Sequence, residues 1–494
     1  MPFPLKLRII NLLIIFAERS AVLVHLFHPG RIRQDQRTWM LETPVEHLIA
    51  RLAVPTTVSM LITSIYNMAD TYFVSQIGTA EASASGTSAS AAVGIVFSAM
   101  AMIQALAFMF GMGSGTNVSH LLGMGKRKEA EVYSAVGFFS AVAAGVLIAV
   151  LGNVFNEPLM RLLGATETAM PYALDYGYII VAGTIFNIFP CGAMSIVRGN
   201  GGPKTAMLSM LTGFTVNMIG DPLTIYGFHW GVKGAAIATV LGQAASAVVC
   251  IVYLARKKGT VQLTKQSFTG WARFVPKTAR LGLSSFVTQL AIVVVLYFQN
   301  NLLVKYGALS KYGAEIPLTA LGVTIKVFTM LQNAITGLCS GAQPIISYNY
   351  GRNLRSRVRQ ILKLLVIFSA ALMGIATIWF QLAPMSIVRI FGSADPLYNE
   401  FSVKCLRIFL MLIFLDSFQM VGSSFLQSIG KPLSATALVL FRQIIVQVPA
   451  LLILGKLFGI DGLLYAGALS SLLVGILSIL FLVREWIALG KQAQ

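Results

Sequence analysis

The chain is 494 residues long, 56% hydrophobic and only 11% charged, with a mean hydropathy of +0.76. A water-soluble domain carries about a quarter charged residues, so this balance excludes an ordinary soluble protein and points to one that lives in a bilayer. The net charge of +19 would suit a nucleic-acid binder, but its placement along the chain excludes that reading.

The first 46 residues are apolar in patches. Glu18 and Arg19 cut "LKLRIINLLIIFAERSAVLVHLF" into pieces too short to span, and no cleavage pattern of a signal peptide follows. Residues 1–46 read as a cytoplasmic or interfacial extension, or as sequence upstream of a start at Met40. Twelve apolar stretches come next, near 50–74, 86–112, 131–152, 171–197, 205–226, 232–255, 281–304, 317–345, 364–383, 401–428, 433–455 and 460–483. Each is long enough for a helix to cross about 30 Å of hydrocarbon. Lipid requires every backbone group to be satisfied internally and no strand alternation occurs, so the fold class is an all-α polytopic membrane protein with 12 transmembrane helices. With both termini cytoplasmic, 27 of the 37 Lys and Arg fall on the inner side and seven on the outer, the positive-inside bias. The basicity therefore records orientation in a cytoplasmic (inner) membrane. The lipid bilayer is the expected partner, with no nucleic acid, and the chain is expected to act as a monomer.

The chain also repeats itself. "ARLAVP" at Ala50 matches "ARLGLS" at Ala279; "GMGSGTNVSHLLGMG" at Gly111 matches "GLCSGAQPIISYNYG" at Gly337. "GGPKTA" at Gly201 answers "GKPLSA" at Gly430, and "GVKGAA" at Gly231 answers "GIDGLL" at Gly459, all at separations of 226 to 229. Two parallel six-helix repeats are predicted around a central cavity: an N-lobe (47–255), a basic cytoplasmic linker (256–280), a C-lobe (281–485) and a tail (486–494). Parallel duplicates of this kind suit alternating access between two rocking lobes. Cys191, Cys250, Cys339 and Cys405 fall one per apolar segment and read as small buried hydrophobes, with no metal site or disulfide framework and no cofactor.

Three carboxylates lie inside apolar segments: Asp70, Asp221 and Asp416. An ionisable group at such depth costs at least about 2.5–3.5 kcal/mol and marks ion paths, proton relays or substrate sites. In "TVNMIGDPLTIY", Asn217 and Asp221 are four apart and share a helix face. Pro222 cannot donate to the Met218 carbonyl and invites a kink there; Pro55 and Pro190 are further candidate hinges. Thr239 in the sixth segment offers a hydroxyl. Lys326 is the expected counter-charge of Asp416, whereas Arg442 either faces the same cavity or snorkels.

The duplicated plan, "NMADTYFVSQIG", "GMGSG" and N-x-x-x-D in the fifth segment together resemble the multidrug and toxic compound extrusion (MATE) family, in its bacterial DinF-like and MepA-like branch. The resemblance runs from about Glu46 to Glu485. It implies a cation-coupled antiporter that exports amphiphilic, often cationic drugs, with an N-lobe cation site at Asp70, Asn217, Asp221 and Thr239. The seventh segment, "VTQLAIVVVLYFQ", lacks the carboxylate that some relatives pair with one in the tenth, so a C-lobe sodium site of that kind is not expected. The coupling ion is a proton, with sodium the alternative at the same oxygens. Tyr66, Tyr297, Phe298 and Met420 are candidates to line the cavity. A lipid-linked sugar flippase of the same superfamily is the rival reading; it needs several cavity cations, of which the chain offers chiefly Lys326 and Arg442. No H-E-x-x-H, G-x-S-x-G or acid/His cluster marks an enzyme.

Overall fold

Each apolar stretch becomes a helix in the computed structural model, and most extend past the hydrocarbon-length core that hydropathy marks. Residues 43–80, 85–162, 170–228, 230–255, 271–313, 315–391 and 396–491 are described, and the side chains of 66–80, 85–95, 97, 98, 162, 226, 232, 255, 315, 390 and 391 fall outside that description. Residues 1–42 of the proposed extension and 256–270 of the linker therefore lie outside the described residues.

The N-lobe consists of α1 (Val45–Ala80), α2 (Ser85–Gly123), α3 (Arg127–Val154), α4, α5 (Pro203–Pro222) and α6 (Gly231–Ala255). Helix α4 is a bent pair, Met170–Ala182 and Thr184–Gly199, turned by 50°. The C-lobe repeats the order: α7 (Val275–Ala308), α8 (Glu315–Gly351), α9 (Arg355–Leu382), α10, α11 and α12. A short helix, Pro396–Lys404, leads into α10, which is a π turn (Cys405–Phe409) followed by Ile413–Ser428. Pro432–Leu440 begins α11, which continues through a second π turn, Phe441–Gln447. The long helix Val448–Lys491 is broken at Gly459, whose φ of 62° and ψ of −133° reverse the chain between α11 and α12. Glycine takes that left-handed conformation without the penalty a Cβ imposes. Among the described residues the helices fall into twelve spans, consistent with the two six-helix lobes that the repeat predicts.

Two of the three proline hinges differ from expectation. Helix α1 runs unbroken through Pro55, where the Ser59 hydroxyl donates to the Pro55 carbonyl at 2.8 Å. The bend in α4 falls at Gly183, not at Pro190, which sits buried within Thr184–Gly199. A Cβ at Gly183 would press on the Val240 methyls, so glycine lets the turn seat against α6. At Pro222 helix α5 ends and a π turn, Leu223–Gly227, begins.

The lobes meet along two equivalent seams. At one, a Cβ on Gly282 of α7 would run into the Met109 carbonyl of α2, and one on Gly113 of α2 into the Thr278 carbonyl of α7. At the other, Gly337 and Gly341 of α8 press against the backbone of α1 at Thr57 and Ala53. Gly282 and Ala53 are repeat mates, 229 residues apart. Helices in lipid associate by van der Waals packing, so small residues at the contact are what permits the close approach. Polar bonds also join the lobes: Asn333 Nδ2 donates to Ser64 Oγ at 2.8 Å across the α8–α1 seam, and Gln343 Nε2 of α8 donates to Thr116 Oγ1 of α2 at 2.7 Å between the two seams. The glycine contacts lie in the halves of α1, α2, α7 and α8 near the end that carries Lys126–Lys128, Arg198, Lys277 and Arg352. The lobes are closed at this basic end.

Candidate functional site

Helix α5 buries Ala206, Ser209, Gly213, Asn217 and Asp221 on one face, at intervals of three or four. That face lies on α6. Ser209 Oγ donates to the Ser246 carbonyl at 2.8 Å, and Ser246 Oγ returns the bond to the Ser209 carbonyl at 2.7 Å. Gly213 and Gly242 allow this approach. A Cβ on Gly242 would stand 2.6 Å from the Gly213 carbonyl oxygen and 3.0 Å from Asn217 Cβ.

The close approach brings three polar side chains together in an apolar lobe. Asn217 Nδ2 donates to Thr239 Oγ1 at 3.2 Å and to Asp221 Oδ1 at 3.3 Å. The Thr239 hydroxyl spends its proton on the Ala235 carbonyl at 3.0 Å, which leaves its oxygen an acceptor for Asn217. Asp221 is 1% exposed and Asn217 2%. Asn217 Oδ1 is buried with no hydrogen-bond partner among the described residues. Just beyond, Thr224 Oγ1 donates to the Gly220 carbonyl at 2.9 Å where the helix widens into its π turn. The predicted Asn217, Asp221 and Thr239 are thus one buried cluster. Asp70 belongs to α1, but its side chain, like that of Tyr66, lies outside the described residues. Helix α1 does pack on α5, with the Thr63 hydroxyl 3.1 Å from Met210 Sδ.

A carboxylate, an amide oxygen and a hydroxyl are hard oxygen donors, suited to a proton or a small hard cation. An orphan amide oxygen in a dry lobe is expensive unless something visits it.

The MatE family profile matches residues 55–223 and 287–453. The chain belongs to the MatE family. Within it the chain sits in the MepA-like branch of transporters. The multidrug export protein MepA of Staphylococcus aureus (strain bovine RF122 / ET3-1) is 22% identical over 461 residues, 92% of this chain and 97% of the relative. MepA of Staphylococcus haemolyticus (strain JCSC1435) is 24% identical over 378 residues, 76% of this chain and 81% of the relative. In fold, the chain is similar to an outward-facing multidrug resistance MATE family transporter of the MOP superfamily, with a TM-score of 0.84 over 93% of this chain and 100% of the other at 22% identity. A MOP superfamily transporter from Pyrococcus furiosus superposes with a TM-score of 0.83 over 93% and 99% at 21% identity. The chain is a multi-pass membrane protein.

The C-lobe of this MatE chain corrects the expected charge pair. Asp416, 1% exposed, takes its bond from Arg442 Nη2 at 2.9 Å, not from Lys326. Arg442 Nη1 also donates to Gln419 Oε1 at 3.0 Å. Lys326 is exposed and makes no ion pair among the described residues. The reason is geometric: Arg442 stands in the π turn of α11, beside α10, and its long forked side chain reaches the carboxylate from there. Of the candidate cavity aromatics, Tyr297 is 66% exposed and sets its ring against Phe298, centroids 5.6 Å apart; Met420 is half-buried. The four cysteines are free. Gly213 and Gly242, which admit Asn217 to α6, were not singled out from the sequence; their signal is a glycine on each of two adjacent helices at the level of the polar residues.

Proposed function

We propose that the chain is a cation-coupled antiporter that exports amphiphilic, often cationic drugs across the cytoplasmic membrane by alternating access. The relatives named multidrug export protein support drug export; the amphiphilic, often cationic class is what the family resemblance implies. The single observation that carries the coupling is the buried Asn217–Asp221–Thr239 cluster with its unpartnered amide oxygen. The basic end is the cytoplasmic one by the positive-inside bias, so closure of the lobes there corresponds to an outward-facing state.

In this reading a cation from outside loads the cluster, with Asp70 as the candidate fourth member. The proton is the leading coupling ion: it sits on the Asp221 carboxylate and removes a charge from the dry lobe. Sodium is the alternative, held by Asp221, the Asn217 amide oxygen and the Thr239 hydroxyl. Either neutralises Asp221, changes the balance of packing around the π turn and lowers affinity for cargo at the cavity. Cargo bound from the cytoplasm favours the unloaded form. One charge crossing 100 mV contributes about 2.3 kcal/mol and each pH unit about 1.4 kcal/mol. Together they sustain cargo ratios on the order of hundreds. The flippase reading is weaker because Arg442 is committed to Asp416, which leaves Lys326 as the free cation of that pair.

The test is ethidium transport by the purified chain in proteoliposomes under imposed proton or sodium gradients. Wild type should respond to one gradient, and Asp70→Asn and Asp221→Asn should lose gradient-driven transport. Transport by both variants at the wild-type rate would end this reading. Dependence on sodium alone would assign the ion.

A further inference from the structure

A second polar site lies at the basic end, away from the Asn217 cluster. A cleft of about 740 Å³ opens between the lobes there, on the solvent side of the Thr116–Gln343 bond. Its size falls in the range of small-molecule sites. Helices α2 and α3 wall it on the N-lobe side; α7, α8 and the turn from α10 into α11 wall it on the other.

Its charge is lopsided. Four cations line it, Lys126, Lys277, Arg280 and Lys431, against one carboxylate, Glu129. Lys126 is paired with Glu129 at 3.1 Å, and Lys431 with Glu485 at 2.6 Å. Lys277 and Arg280 have no ion pair among the described residues, and they sit three apart on the first turns of α7, on one helix face. Lys277 Nζ stands 5.7 Å from the Tyr133 ring centroid across the lobe boundary. The chain segment just before α7 does not offer a counter-ion: "RKKGTVQLTKQSFTG", 256–270, carries four Lys and Arg and no carboxylate. The rim is apolar, with Met124 43% exposed and Leu433 54% exposed.

We propose that this cleft binds a phosphate group, through Lys277 and Arg280, and that the headgroup of an anionic phospholipid is its source. Arg offers a planar fork and Lys a point charge, the pair of donors that phosphate oxygens accept. The apolar rim at Met124 and Leu433 suits the first carbons of an acyl chain, which a free phosphate would leave unused. Because the walls come from both lobes, an occupant ties them together at this end. Bound phosphate thus favours the closed arrangement described above. The inference stands on the cleft alone and does not rest on the coupling ion or the cargo.

The test uses the full chain purified in a neutral detergent. Thermal unfolding and native mass spectrometry would be read with added phosphatidylglycerol, phosphatidylcholine or inorganic phosphate, at low salt and at high salt. Phosphatidylglycerol should raise the midpoint by about 2–4 °C over phosphatidylcholine at low salt, and the gain should shrink at high salt. In Lys277→Gln/Arg280→Gln the half-saturating lipid concentration should rise tenfold or more; Lys363→Gln, an exposed charge outside the cleft, should match wild type. Inorganic phosphate giving the same gain with the same variant sensitivity would keep the site and overturn the lipid as its source. An equal response to phosphatidylcholine, or a full response in the double variant, would overturn the site.

Discussion

Arg442 on α11 donates from Nη2 to Asp416 Oδ2 on α10 at 2.9 Å, with 12% and 1% of the two side chains exposed. Taking either charge out of water is costly, and the pair persists because each compensates the other. Removing one partner should therefore hurt more than removing both. Arg442→Met is expected to destabilise by about 3–5 kcal/mol, while Arg442→Met with Asp416→Leu should return close to wild type. Thermal unfolding in detergent checks this, and Lys326→Met should leave the midpoint unmoved.

The Asn217–Thr239 bond joins α5 to α6 at 3.2 Å. Thr239→Val keeps the shape and removes the acceptor. A net hydrogen bond contributes about 1 kcal/mol, so the cation concentration that half-activates transport should rise about fivefold with little change in maximal rate. Gly242→Ala acts on the same bond by pushing Asn217 away, and should give the larger loss. Initial rates of ethidium efflux against ion concentration separate these outcomes.

Gly282 faces the Met109 carbonyl so closely that no side chain fits between them. Gly282→Val should cost about 1–3 kcal/mol of lobe closure at the basic end. That is enough to shift a balanced two-state equilibrium by roughly fivefold to a hundredfold. Spin labels at Met124 and Leu433, exposed residues on opposite lobes, should report a longer mean distance in the variant than in wild type.

At the opposite end, Lys311 Nζ contacts both Glu400 carboxylate oxygens, at 2.8 and 2.9 Å, and the Tyr312 hydroxyl donates to Glu400 Oε1 at 2.8 Å. The Lys311 bond first, then the Tyr312 bond, hold the Glu400 carboxyl below its ordinary value; the Glu400 bond in turn raises Lys311. A depressed carboxyl binds fewer protons folded than unfolded, so its contribution is complete above the ordinary glutamate value, about 4.3, and is lost as pH falls through the lower folded one. For Lys311 the contribution is complete below about 10.4 and lost as pH rises further. Glu400→Gln should melt slightly below wild type at pH 7, and the gap should close as pH is lowered past about 4. The effect is small because the groups are exposed.

Much of this architecture was legible before any coordinates. Hydropathy counts residues against a bilayer thickness, so the twelve spans followed from length and composition, and the repeat supplied the two lobes. Asn217 and Asp221 were legible as neighbours because four residues along a helix bring two side chains to one face whatever surrounds it. Thr239 was legible only as a hydroxyl in the sixth segment, and its contact with Asn217 depends on how deeply Gly213 and Gly242 let two helices sink together. The choice of Arg442 over Lys326 as the partner of Asp416 was not legible, nor was the bend at Gly183 in place of Pro190.

What the sequence determined by itself is therefore whatever depends on one helix at a time: which segments enter lipid, where the repeat begins again, which residues share a face. Which helices stand side by side, and at what rotation and depth, was decided only by tertiary packing. Apolar faces are interchangeable in a solvent as apolar as they are, so the neighbour of a given face is selected by close backbone contact and by the few polar groups that must find one another.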